Sequence, residues 1–171
     1  EAINSCLSSE QETVLKWPND ALLKIDDEIR KVGGVLIESV SRGKTSRVVL
    51  GIGCNIASKE HYKNDFSVAS LDELNNETSL PHFENSIQAS VASWFEQKPG
   101  VLKVKKSDFL THYSVILLDS IELLGTPFYR QMEMSFQSID FDGKMTLIDS
   151  SKKSHLIEDG EHIIWSNYST D

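Results

Sequence analysis

The chain has 171 residues, 39% of them hydrophobic and 25% charged, which is ordinary for a globular protein that buries a sizeable core. Its formal net charge of −9 argues against a nucleic-acid partner, because such a partner requires a basic face that neutralises phosphates. No stretch approaches the roughly 20 apolar residues of a membrane span, so no membrane partner is expected either. A small anion held by one or two lysines is compatible with this composition.

The cysteines and the first residues indicate the cellular compartment of the protein. Cys6 and Cys54 are the only cysteines, and neither has the spacing of a zinc or redox motif. We therefore expect free thiols and a reducing, cytoplasmic location. Residues 1–12 have neither the basic region nor the apolar core of a signal peptide, and they predict the end of a helix that begins upstream.

The first third of the chain is predicted to form β-strands. Apolar runs between turn signals predict four of them, at residues 14–17, 21–25, 31–40 and 47–57. Pro18-Asn19-Asp20 predicts the first turn, because proline presets φ and Asn and Asp satisfy local backbone groups. Hairpin tips are expected at 26–28 and 42–44. Gly51 and Gly53 inside a strand indicate a bulge or the close approach of a ligand.

A long polar loop follows at 58–81, with one short helical turn, and loops of this length in compact domains are more often functional than idle. Apolar residues at helical spacing predict an amphipathic helix over 82–97, and a second helix is predicted over 107–117. After residue 118, short strands predict a small β-barrel appended to this body. Asp142-Gly143 is a hairpin signal within it. The predicted strands lie at 120–124, 128–141, 144–149 and 155–165.

Single residues leave their roles open. Lys31 precedes Gly33-Gly34, so its ammonium could meet a carboxylate or phosphate lying on the glycines, or it could be a solvated hairpin residue. Asp20 could hold Mg²⁺ on a nucleotide or could accept hydrogen bonds in an Asx-turn. Trp17 is predicted to be a core residue. The sequence GIGCN at 51–55 is no dinucleotide fingerprint, since the third glycine is missing.

Three motifs in order carry a family resemblance: KWPND at 16–20, KVGGVLIE at 31–38 and GIGCNI at 51–56. Together with the small C-terminal β domain, they closely resemble the biotin protein ligases, including the eukaryotic holocarboxylase synthetases. The resemblance implies an α+β fold: a mixed or antiparallel sheet with flanking helices, as in class II synthetases, followed by an SH3-like β-barrel. It places the catalytic part at 1–117 and the barrel at 118–171.

The resemblance also implies a two-step ligation. Biotin and MgATP are the substrates, no tightly bound cofactor is expected, and biotinyl-5′-AMP is the intermediate. The acceptor is a lysine of a biotin carboxyl carrier domain. The protein contributes position and charge.

Roles follow for residues that match the motifs. Lys31 would be the catalytic lysine that bridges the biotin carboxylate and the α-phosphate. Biotin would lie on four glycines, Gly33, Gly34, Gly51 and Gly53. The nucleotide would face Lys16, Asn19, Asp20 and Asn55, with Asp20 also near the Mg²⁺. The loop near 58–71 would order over the adenylate.

The match departs from the family at two points. Asp20 and Lys31 are eleven positions apart, somewhat more than usual, which predicts a longer hairpin tip. The glycine- and arginine-rich GRGRxGR loop that precedes KWPND in the family is absent, so the active site is expected to be completed by a missing N-terminal half or a second chain. The alternatives are a degenerate, non-catalytic biotin- or adenylate-binding relative, a lipoate or octanoate transferase, and a structural domain.

Overall fold

The computed structural model describes residues 3, 12–25, 28–57, 68–73, 80–96, 117–140 and 142–168. Its strands form two antiparallel sheets, one of four strands and one of five, accompanied by helices. The predicted α+β class is therefore confirmed. The helix expected over residues 1–12 falls on positions that, apart from Ile3 and Glu12, lie outside the described residues. None of the described helices is long and apolar enough to cross a membrane.

The first sheet contains the four predicted strands in sequence order. The connections are short, and the turn between the last two strands contains Gly43 at a φ of +61°, a conformation that glycine adopts without strain. The third and fourth strands extend as a long ribbon beyond the shorter first two. The strands are β1 (Glu12–Lys16), β2 (Asp20–Ile25), β3 (Glu28–Arg42) and β4 (Thr45–Cys54).

A β-bulge between β2 and β3 changes which face the residues of β3 occupy. Ala21 pairs with Gly33, but the next residue, Leu22, pairs with Lys31, so Val32 is the extra residue. Strict alternation would place Lys31, three residues before Gly34, on the opposite face of the sheet. The extra residue reverses this, and Lys31 lies on the same face as Gly34.

The two faces of the first sheet are covered by different elements. Helix α1 (Leu80–Glu96) packs on one face, where Phe83 joins Leu23 and Val32 in a buried cluster. The predicted helix over 82–97 is thus confirmed. The 3₁₀ turn Leu71–Glu73 lies at the same cluster and confirms the helical turn predicted within 58–81. The opposite face packs against the second sheet through a larger cluster.

A second helix, α2, spans residues 117–124. The strand predicted at 120–124 is therefore wrong. Leu117, Ser120 and Leu124 are the fully buried positions, and this spacing is helical rather than alternating. Gly125, at a φ of +81°, donates its N–H to the carbonyl of Ile121 and ends the helix. Residues 107–116 of the helix predicted over 107–117 lie outside the described residues.

The second sheet has the strand order β8-β7-β6-β5-β9. The single strand predicted over 128–141 is in fact two, because Arg130 and Gln131 adopt positive φ values of 52° and 64° and form a tight turn. Gly143, with a φ of +83°, confirms the predicted Asp142-Gly143 turn. A closed barrel and the domain boundary after 117 stay predictions. The strands are β5 (Pro127–Tyr129), β6 (Met132–Ile139), β7 (Met145–Asp149), β8 (Ser154–Ile157) and β9 (Ile163–Trp165).

Trp17 joins the two sheets. Its side chain is only 4% exposed within the larger cluster, which confirms the predicted core role, and its indole N–H donates to the carbonyl of Gly143 over 2.8 Å. Gly160 lies so close to the Trp17-Pro18 peptide that a Cβ there would come within 2.7 Å of the Trp17 carbonyl oxygen. The second sheet therefore packs directly against the turn that carries Asn19 and Asp20.

Candidate functional site

A cavity of about 680 Å³ opens beside the turn between β1 and β2. This volume is typical of small-ligand sites. Eight of the nine residues predicted for the site line it, and Lys16 is not part of the described lining. Five apolar or small residues that the sequence did not single out complete the described lining: Val35, Leu36, Ile52, Cys54 and Val68.

One row of residues crosses all four strands beside this cavity. In the register, Lys16 pairs with Asp20, Asp20 with Gly34, and Gly34 with Gly53. Residues paired directly across antiparallel strands lie on the same face of a sheet. The two outer positions of KWPND therefore share a face with one glycine from each of the other two motifs, although up to 37 positions separate them.

Asp20 lies between two ammonium groups. Its Oδ1 accepts a hydrogen bond from Lys31 Nζ at 2.6 Å, and its Oδ2 lies 3.7 Å from Lys16 Nζ. The side chains of Lys16 and Asp20 are 15% and 18% exposed, whereas that of Lys31 is 42% exposed. Among the described residues that line the cavity, Lys31 is thus the cation that a ligand can reach, and Asp20 holds it in place.

The four glycines differ in how much space surrounds the position that a Cβ atom would take. A Cβ on Gly33 would lie 2.3 Å from the carbonyl oxygen of Gly53, so that position requires glycine for the close approach of β3 and β4. A Cβ on Gly34 would lie 3.3 Å from Asp20 Oδ1. At Gly51 and Gly53 the nearest atoms are 3.6 Å and 4.0 Å away, so the protein itself would accommodate a Cβ there. The absence of side chains at Gly51 and Gly53 widens the cavity.

Asn19 and Asn55, predicted to face a nucleotide, both use their side chains to hold the backbone. Asn19 Nδ2 donates to the carbonyl of Val35 at 2.9 Å, and the Val35 N–H donates back to the Asn19 carbonyl at 2.9 Å. Asn55 Nδ2 donates to the carbonyl of Ala69 at 3.1 Å and approaches that of Lys31 at 3.5 Å. Both residues line the cavity, and their nucleotide contacts stay predictions.

The segment just before the 3₁₀ turn is attached to Lys31. Val68 forms a parallel bridge with Lys31, and the Ala69 N–H donates to the Lys31 carbonyl at 2.8 Å. Val68 lines the cavity. The loop predicted to cover the adenylate therefore begins to contact the site here, while its residues 58–67 lie outside the described part.

Tyr168, which no sequence signal singled out, approaches the site from the second sheet. The Lys16 Nζ lies 5.4 Å from the centroid of its ring. Burial raises the pKa of the Tyr168 hydroxyl, and the negative charge of Asp20 raises it further. Tyr168 lies 148 positions after Asp20 in the sequence, so no local pattern could have indicated that its ring lies near this charged cluster.

The described residues do not fit a resident Mg²⁺. Asp20 is the only carboxylate in the described lining of the cavity, and both its oxygens face ammonium groups. No group of three or more His, Cys, Asp or Glu side chains within the described ranges could hold a metal ion. The metal role predicted for Asp20 stays a prediction.

Comparison with known proteins bears on the family and the fold of the chain. Residues 7–55 match the model of the Biotin/lipoate A/B protein ligase family. The apo structure of biotin protein ligase from Aquifex aeolicus superposes with a TM-score of 0.57 at 19% identity, over 96% of this chain and 72% of that one. The biotin protein ligase from Leishmania major, solved in complex with biotin, gives a TM-score of 0.43 at 17% identity, over 86% of this chain and 56% of that one.

Fold and sheet arrangement define an α+β protein with the fold of a biotin protein ligase. Residues 7–55, which contain all nine predicted site residues, are similar to the biotin/lipoate A/B protein ligase family. The resemblance seen in the three motifs is thereby confirmed.

Proposed function

We propose that this chain provides the ligand-binding sheet of a biotin protein ligase, which forms biotinyl-5′-AMP and transfers biotin to a lysine of a carboxyl carrier domain. The observation that carries the proposal is the position of Lys31. Its ammonium is held by Asp20 at 2.6 Å, faces a cavity of about 680 Å³, and stands over glycines that leave the cavity open.

Lys31 has the donors that the first step requires. An ammonium carries three N–H donors, and Asp20 takes one of them. The other two can bind a carboxylate oxygen of biotin and an oxygen of the α-phosphate. The carboxylate oxygen forms a bond to the α-phosphorus, the bond from that phosphorus to the bridging oxygen breaks, and pyrophosphate leaves with the electron pair. Lys31 offsets the negative charge of both reactants while this happens.

In the second step the acceptor lysine attacks the acyl carbon of the adenylate as a neutral amine. The new C–N bond replaces the C–O bond to AMP, and the amine loses a proton. In this proposal Val68 and Ala69, which contact Lys31 at the edge of the cavity, help to keep water from the mixed anhydride. The 171 residues contain no GRGRxGR sequence, so in this proposal further polypeptide supplies that element in cis or in trans.

Calorimetric titration with a non-hydrolysable sulfamoyl analogue of biotinyl-5′-AMP tests the proposal. We expect Lys31→Met to weaken binding by about 10- to 100-fold, because charge-assisted hydrogen bonds contribute roughly 1.5–3 kcal/mol. Lys24→Met, four positions from Asp20 on the same strand and outside the described lining, is the matched control and should bind like the wild type.

The same titration separates the alternatives. The family model covers lipoate as well as biotin ligases, so the lipoyl sulfamoyl analogue is a second arm, and tighter binding of the lipoyl compound would contradict the biotin assignment. Both analogues are also titrated after addition of a polypeptide that carries a GRGRxGR loop. No binding under either condition would overturn the ligase proposal. Binding without pyrophosphate release from biotin and ATP in the completed protein would indicate a non-catalytic relative.

A further inference from the structure

Tyr168 connects the second sheet to the charged cluster of the first. Tyr168 is 5% exposed and belongs to the core cluster that both sheets share. The face of its ring lies 5.4 Å from Lys16 Nζ, within the distance of a cation–π contact. A residue that follows β9 therefore borders the cation that stands next to Asp20.

Lys16 is directed at Asp20 and not at the cavity. It is absent from the described cavity lining, its side chain is 15% exposed, and its Nζ lies 3.7 Å from Asp20 Oδ2. The other oxygen of the same carboxylate holds Lys31 at 2.6 Å. The contacts thus form a continuous series from Tyr168 through Lys16 and Asp20 to Lys31.

We propose that Tyr168 is a positioning residue for Lys31, acting through Lys16 and Asp20; this rests on the proposed function for the meaning of ligand binding at Lys31. A free lysine side chain samples many rotamers, and ordering it costs conformational entropy. The tyrosine ring and the carboxylate confine Lys16 from two sides. With Lys16 in place, one Asp20 oxygen is occupied and the other is left for Lys31.

The consequence is that the second sheet contributes to ligand affinity without touching the ligand. If Lys16 moved away, Asp20 would be held on the Lys31 side only, and the acceptor that aims Lys31 at the cavity would be less firmly fixed. In this proposal Lys16 acts on the ligand indirectly, and its predicted contact with the nucleotide stays a prediction.

A double-mutant cycle tests this inference, with the sulfamoyl analogue of biotinyl-5′-AMP as the probe. We expect Tyr168→Leu to weaken binding about three- to tenfold, and Lys16→Met to weaken it by a similar factor. Tyr168→Leu should have no further effect in the Lys16→Met background, because Tyr168 acts through Lys16. Equal weakening in both backgrounds would mean that Tyr168 only packs, and would overturn the proposal.

Two further variants guard against a trivial loss of folding. Tyr168→Phe keeps the aromatic face and should bind the analogue like the wild type. Tyr129→Leu is the matched control, since Tyr129 lies in the same sheet with Arg130 at 5.0 Å from its ring centroid, and it should leave binding unchanged.

NMR tests the positioning role even if the analogue fails to bind the wild type both with and without the polypeptide that carries a GRGRxGR loop, the result that would overturn the proposed function. Ring currents should shift the ε-methylene protons of Lys16 upfield in the wild type and in Tyr168→Phe, but not in Tyr168→Leu. The ε-methylene signals of Lys31 should change in both Tyr168→Leu and Lys16→Met. Lys31 signals that stay unchanged in both variants would overturn the positioning role.

Discussion

The indole N–H of Trp17 donates to the carbonyl of Gly143 over 2.8 Å, and the bond spans 126 positions of the sequence. It attaches the turn of the KWPND motif to the hairpin between β6 and β7. The turn that carries Asp20 is therefore held by the second sheet as well as by its own strands, so the stability of this contact bears on the site.

We expect Trp17→Phe to lower the free energy of unfolding by about 1–3 kcal/mol, because it removes this bond and part of a buried ring. Trp165→Phe is the matched comparison: Trp165 is 2% exposed, and its indole nitrogen has no hydrogen-bond partner among the described residues. Removing an unsatisfied donor should cost less. Urea denaturation of both variants checks this, and an equal or larger loss for Trp165→Phe would show that the Trp17 bond contributes nothing.

An added side chain should lower the stability of the fold at Gly33 but the affinity for ligand at Gly53. Gly33→Ala should destabilise the fold, because the new Cβ would lie 2.3 Å from the Gly53 carbonyl oxygen. Gly53→Val should keep the thermal midpoint close to that of the wild type, since its Cβ meets nothing nearer than 4.0 Å, but should lower affinity for the adenylate analogue at least tenfold. Unimpaired binding by Gly53→Val would remove the glycines from the ligand site.

Asn55→Ala should loosen the segment at Ala69. The variant leaves the Ala69 carbonyl without the 3.1 Å bond from Asn55 Nδ2, which typically costs about 1–3 kcal/mol for a buried acceptor. Hydrogen exchange should accelerate at the Ala69 and Leu71 amides, which bond to Lys31 and Asn55, and stay unchanged at the Asn167 amide in the second sheet. Unchanged exchange at Ala69 would show that the side-chain bond does not hold this segment.

Asp149 should make the second sheet sensitive to acid. Hydrogen bonds from the Ser151 hydroxyl, then from His155, and then from the amides of Lys153 and Ser151 lower the pKa of Asp149 below its ordinary value. Because the folded-state pKa is the lower one, the stabilisation is present above about pH 4 and is lost as the pH falls further.

Asp149→Asn should therefore flatten the decline in stability between about pH 4 and pH 2, as measured by urea denaturation at each pH. Asp142→Asn, an exposed carboxylate in the adjoining hairpin, is the control and should keep the wild-type profile. An Asp149→Asn profile as steep as that of the wild type would contradict the assignment.

The sequence by itself determined the elements with local signals. Apolar runs between turn residues marked the strands of the first sheet, because proline, Asn, Asp and glycine act on the backbone within a few positions. The helix α1 followed from its apolar spacing. The three motifs also indicated which residues would meet, and eight of the nine line one cavity.

Only the tertiary structure decided the rest, because it depends on packing between distant segments. Nothing local marks Val32 as the extra residue that turns Lys31 toward Asp20; that register is set by burying Val32 beside Phe83. Residues 120–124 became a helix because their apolar side chains reach the shared core only at helical spacing. Tyr168 reaches Lys16 because the second sheet packs on the first, a contact that no short-range pattern can encode.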